Sequence, residues 1–73
     1  MNVDRLVAMA NDIAGFFAGE SDREVAVAGV ANHLTRFWEP RMRVQIIEHH
    51  KRGGEGLSPL AAEAISTLLP PSI

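Results

Sequence analysis

The chain reads as all-α: one small domain, residues 1–73, of about four short helices with a tight proline corner near residue 40. Three observations carry that reading. Apolar residues recur at helical spacing in four separate segments. Strong breakers fall between them and after the last: Gly19, Pro40, the run Gly53-Gly54-Glu55-Gly56, and Pro70-Pro71. No stretch alternates apolar and polar residues as a strand would.

The first helix is expected from about Val3 to Ala18, capped by Asn2. At about 100° per residue, Leu6, Ala10, Ile13 and Phe17 centre its apolar face. Asp4, Arg5, Asn11 and Asp12 gather on the opposite side. The apolar arc covers about half the circumference, more than one neighbour needs. Ala18-Gly19-Glu20 is expected to end the helix through glycine. Ser21-Asp22-Arg23-Glu24 then spells a capping box, with Ser21 and Glu24 satisfying each other's backbone donors. The second helix buries Val27, Val30, Ala31, Leu34, Phe37 and Trp38. Gly29 in its interior costs up to about 1 kcal/mol against alanine, so a close approach by another backbone is one expectation there and a tolerated surface glycine the other.

Pro40 takes Glu39 out of helical geometry, so the second helix stops near Trp38. A third helix starts at once, from Arg41 to about Lys51, because proline suits a first turn. Met42, Ile46 and Ile47 form its inward stripe, and Arg43 and His50 fall on that same side. The glycine run closes it. Ser58-Pro59 opens the last helix as N-cap and first residue. Its apolar face runs from Leu60 to Leu69, again over about half the circumference, until Pro70-Pro71 stops it.

Composition narrows the function. With no cysteine there are no disulfides, iron–sulfur ligands or thiolate zinc sites. Yet 47% of the residues are hydrophobic, generous for 73 residues, and apolar surface without an interior to fill suggests a larger partner or a second copy. The net charge is −2, but residues 33–52 hold five basic groups against two acidic ones. That local excess is too light for a dedicated nucleic-acid binder. No apolar run spans a membrane, and the start lacks a secretory signal, so the expected location is cytoplasmic.

Candidate chemistry is thin. His49 and His50 are adjacent, and side chains about 100° apart on a helix cannot chelate one ion. His33 lies in another helix, leaving zinc short of ligands. Of the nucleophiles Ser21, Ser58, Ser66 and Ser72, none has histidine and carboxylate at a persuasive spacing. The glycine run follows a helix rather than a strand and fits no phosphate-binding pattern. The expectation is no catalytic, cofactor or metal site.

What stands out is His33-Leu-Thr-Arg-Phe-Trp-Glu-Pro-Arg-Met42: a Phe-Trp pair ending one helix, and Pro-Arg-Met-Arg opening the next. Large aromatics beside arginines have the composition of a protein-binding anchor. Arg36, Phe37, Trp38, Arg41 and Arg43 are the expected partner-binding residues. The alternative is solvated charge for Arg36 and Arg41, and an internal ion pair for Arg43 with Glu39 or Asp12.

Three blocks in register, Leu6-Val-Ala-Met-Ala-Asn-Asp-Ile-Ala-Gly-Phe-Phe17, the His33–Arg43 segment and Gly53-Gly-Glu-Gly-Leu-Ser-Pro-Leu60, resemble the delta subunit of soluble NAD-dependent formate dehydrogenases. The likeness covers nearly the whole chain. One position departs from the family's pattern: Thr35 stands where a second basic residue is expected, so the charge ahead of the Phe-Trp pair rests on Arg36 alone. The resemblance implies an accessory subunit without cofactors of its own. In that family the catalytic alpha subunit holds a bis-molybdopterin guanine dinucleotide with molybdenum or tungsten, and iron–sulfur clusters. Beta and gamma subunits pass electrons to NAD through FMN. The delta subunit is associated with assembly and cofactor loading of alpha. The expected partner is therefore the catalytic subunit, with a homodimer when the chain is isolated. A stand-alone helical regulator that binds nucleic acid through the basic middle is the alternative.

Overall fold

The four expected helices are present in the computed structural model, which describes residues 2–71: α1 (Val3–Phe17), α2 (Arg23–Phe37), α3 (Pro40–Lys51) and α4 (Pro59–Ser66). No strand occurs among the described residues. α1 and α4 each pack against all three other helices, whereas α2 and α3 meet mainly at the corner that joins them. The radius of gyration is 11.1 Å, close to the roughly 11 Å expected of a fully collapsed chain of this length.

This arrangement accounts for the wide apolar arcs. α4 has only eight residues, yet buries Leu60, Ala61, Ala64 and Ile65 because neighbours surround it on three sides. In α1, Leu6, Val7, Ala10 and Ala14 are buried for the same reason. The small alanines let these helices approach closely, and Leu6, Val30, Leu34, Ile46 and Ile65 fill the centre. Most of the apolar surface that seemed to await a partner is therefore spent inside the bundle. The large apolar side chains left outside are Phe16, Val25, Phe37 and Leu69.

Helix ends differ from expectation in three places. Asp22, not Ser21, caps α2: its Oδ1 accepts from the Glu24 and Val25 amides at 3.0 and 3.4 Å. A carboxylate at a helix N-terminus also meets the positive end of the dipole, which an adjacent serine cannot match. α1 closes without a left-handed glycine: Gly19 is not among the positive-φ residues, and the Glu20 amide bonds to the Phe17 carbonyl at 3.1 Å. α4 stops at Ser66, short of Leu69, because the Ser66 and Thr67 hydroxyls take the carbonyls of Glu63 and Ala64 at 2.5 and 2.7 Å. Such local bonds compete with the next helical turn.

Gly29 does mark a close approach, made by a ring rather than a backbone. A Cβ at that position would lie 2.5 Å from Cε1 and 2.6 Å from Cδ1 of Phe17. Gly29→Ala should therefore cost about 1 kcal/mol despite the better helix propensity of alanine, since the ring must swing aside. Urea denaturation checks the sign, and Phe17→Leu in the same chain should recover most of the loss. Additive penalties would mean that the two positions do not touch.

Asn11 is the other surprise. Placed on the solvent face by the helical wheel, it is half-buried and reaches the loop between α3 and α4. Its Nδ2 donates to the Gly56 carbonyl at 2.9 Å, and its Oδ1 accepts from the Ser58 amide at 2.8 Å. His49 Nε2 binds the neighbouring Glu55 carbonyl at 2.8 Å. Gly53, Gly54 and Gly56 adopt positive φ along this loop, which is why the run is glycine. Asn11→Ala removes two hydrogen bonds and should lower stability by about 1–3 kcal/mol. Asn11→Asp keeps the acceptor but sets a carboxylate against the Gly56 carbonyl, so it should rescue little.

Candidate partner-docking site

The α2–α3 corner is built from two extended residues. Trp38 (φ −86°, ψ 139°) ends α2 and Glu39 (φ −65°, ψ 153°) precedes α3, with Pro40 opening the new helix. The Trp38 amide still bonds to the Leu34 carbonyl at 3.0 Å, so the turn is abrupt. With φ still near helical, the indole continues the buried stripe of Val27, Val30 and Leu34 into the bundle, where it is 5% exposed, while the extended ψ turns the chain that follows.

Trp38 is thus a core residue, as its place on the apolar face of the second helix requires, and the expectation that it also presents its ring to a partner is corrected on that ground. Phe37 is the reverse case. Assigned to the buried face by the wheel, it is 69% exposed, its ring tilted by 45° against His33 with centroids 4.8 Å apart. The pair of aromatics is divided: one ring anchors the corner from within and the other stands on its surface.

Arg43 is held inside the chain. Its Nη1 donates to the Trp38 carbonyl at 2.6 Å and the Thr35 carbonyl at 3.2 Å. Those carbonyls belong to the C-terminal end of α2, where orphan acceptors and the negative end of the dipole favour a cation. The partners are backbone oxygens, not the carboxylates of Glu39 or Asp12. Thr35 also turns its hydroxyl back to the Ala31 carbonyl at 2.9 Å. His50, expected on the buried side of α3, is half-buried.

Arg36 and Arg41 are exposed and make no hydrogen bond or ion pair among the described residues. That distinguishes them from Arg23, whose Nη2 lies 3.0 Å from Glu63 across α2 and α4, and from Arg52, 3.5 Å from Glu48 one turn away. The structure therefore gathers the five expected residues at one corner in two layers. Trp38 and Arg43 lock it, while Arg36, Phe37 and Arg41 face outward.

Elsewhere the described residues hold no group of three or more His, Cys, Asp or Glu placed to bind a metal ion. Ser21 is exposed, Ser58 caps α4, Ser66 bonds to its own helix, and Ser72 lies outside the described residues. No helix among the described residues is long and apolar enough to cross a membrane. Asn11 and Asp22 are the polar residues that sequence reasoning misplaced. For Asn11 a signal existed, since Val7 and Ala14, at i−4 and i+3, are both core residues.

Neither a search of curated proteins nor one of solved structures found a match. A family model described as NADH-dependant formate dehydrogenase delta subunit FdsD matches residues 5–65, a span that holds all four helices apart from the outermost residues of α1 and α4, and the whole of the α2–α3 corner. With that much of the sequence matched, the chain belongs to the family of formate dehydrogenase delta subunits.

Proposed function

We propose that the chain is a non-catalytic accessory subunit that docks on the catalytic alpha subunit of an NAD-dependent formate dehydrogenase in the cytoplasm. There it supports assembly of that subunit or loading of its molybdopterin cofactor. The family supplies the complex. The observation that carries the docking reading is the outward layer of the corner. Phe37 exposes most of its ring, and two arginines without partners among the described residues flank it in sequence. Trp38 and Arg43 fix the backbone beneath that layer, so the ordering cost when a partner covers it falls on the side chains alone. In the absence of the partner, a second copy would be drawn to the exposed apolar side chains, Phe16, Val25, Phe37 and Leu69.

Phe37→Ala tests the reading without touching the core. Burying one phenylalanine is worth roughly 1.5–3 kcal/mol, so its loss should weaken the complex about ten- to a hundredfold. Produced with the catalytic subunit in a host lacking the wild-type copy, the variant should co-purify poorly. The catalytic subunit should then carry less molybdenum or tungsten, with formate activity per bound metal unchanged. Full metal content with reduced turnover would mean that the small chain acts on catalysis, and the loading role would be abandoned.

A further inference from the structure

We infer that the segment seated on this corner is an acidic stretch of polypeptide carrying an apolar side chain, with carboxylates on both sides of that residue. This rests on the docking reading above and specifies the chemistry of the docked partner. The argument starts from how the chain disposes of its other arginines. Arg23 and Arg52 each have a glutamate, Arg43 has two backbone carbonyls, and Arg5, by itself on α1, is exposed without a hydrogen bond or ion pair among the described residues. Only at the corner are guanidinium groups left open on either side of an exposed ring in sequence, at positions 36 and 41.

The local field supports an anionic guest. The C-terminus of a helix is normally negative and would offset a nearby cation, but here Arg43 already occupies the carbonyls of α2. The charge of Arg36 is therefore not spent on its own helix. A guanidinium pairs with a carboxylate in a planar fork, so two carboxylates flanking an apolar residue would engage Arg36 and Arg41 while that residue covers Phe37. His33 backs the ring at 4.8 Å and leaves its remaining surface for the guest. A nucleic-acid backbone fits less well. Two open cations neutralise only two of its regularly spaced phosphates, and it offers no apolar side chain to cover Phe37.

The test uses the complex with the catalytic subunit and follows dissociation of the small chain as salt is raised. Arg36→Glu and Arg41→Glu should each weaken binding at least tenfold at low salt, with unchanged circular dichroism. Lys51→Glu, a matched reversal about 15 Å away along α3, should stay within twofold. A Gly–Ser peptide bearing glutamates around one phenylalanine should displace the small chain. The same peptide with glutamines, or with serine for phenylalanine, should not. Binding that ignores salt and both reversals while the complex still forms would overturn the acidic partner and leave docking intact. Failure of the wild-type chain to bind the catalytic subunit at any salt would overturn docking itself. Displacement by a short DNA duplex at lower concentration than by the acidic peptide would assign the two arginines to phosphate and overturn the inference.

Discussion

Trp38→Ala is expected to be the most destabilising single substitution in the chain, with a loss of about 3–5 kcal/mol. The indole is 5% exposed and belongs to the same buried cluster as Leu34 and Ile46. Truncating a buried tryptophan costs about 3–5 kcal/mol, because the cavity collapses only in part. At roughly 0.05–0.15 kcal/mol per residue, a 73-residue chain has about 4–11 kcal/mol in all. The substitution thus removes between about a quarter and all of the stability. A urea titration measures it directly, and Trp38→Phe should retain more than half of what alanine loses. A wild-type midpoint for Trp38→Ala would show that the ring is not a core residue. The result also decides how binding data are read, since loss of docking in this variant reports folding. Phe37→Ala, one residue earlier, reports contact.

Arg43→Ala should have the next largest effect, a loss of about 2–3 kcal/mol. A hydrogen bond to a charged group is worth about 1.5–3 kcal/mol, and the cation also faces the negative end of α2. Its removal orphans the carbonyls of Thr35 and Trp38, the second of them at the part-buried turn. Arg43→Lys keeps the charge but not the reach and planar geometry of Nη1, which makes both bonds, and should recover about half. Arg52→Ala is the control. That side chain is 80% exposed and sits 3.5 Å from Glu48, a surface pair worth less than about 1 kcal/mol. Equal, small losses from both arginines in thermal unfolding would mean that water replaces the carbonyls at no cost.

Periodicity carried most of the fold, and its failures have physical reasons. Leu6, Ala10, Val30, Leu34, Ile46 and Ile65 recur at helical spacing and are buried. Asn2 and Ser58 cap where local chemistry puts them, accepting from the Asp4 and Ala61 amides. At the corner the wheel holds for Trp38, which continues the stripe of Val27, Val30 and Leu34, and fails for Phe37, which stands in the last turn of α2 and is 69% exposed. The expected anchor is therefore split between core and surface. For Asn11 the nearness of Val7 and Ala14 was legible but its partners were not: Gly56 and Ser58 lie more than forty residues away, and no local pattern announces a contact across that distance. Arg43 was legible as a cation needing company on the buried side. Its partners depend on where α2 stops, a boundary of one residue.

The position of α4 has a consequence for how the chain comes into being. Synthesis runs from α1 towards α4, so the three longer helices exist before the element that fits among them. Until Leu60, Ala61, Ala64 and Ile65 have been added, Leu6, Val30 and Ile46 border a vacancy that water or a foreign apolar group can enter. Eight residues are too few to hold a helix alone, so α4 forms only as it seats. Productive folding is therefore a late, single event, and the nascent three-helix species is the moment of greatest exposure to misassociation.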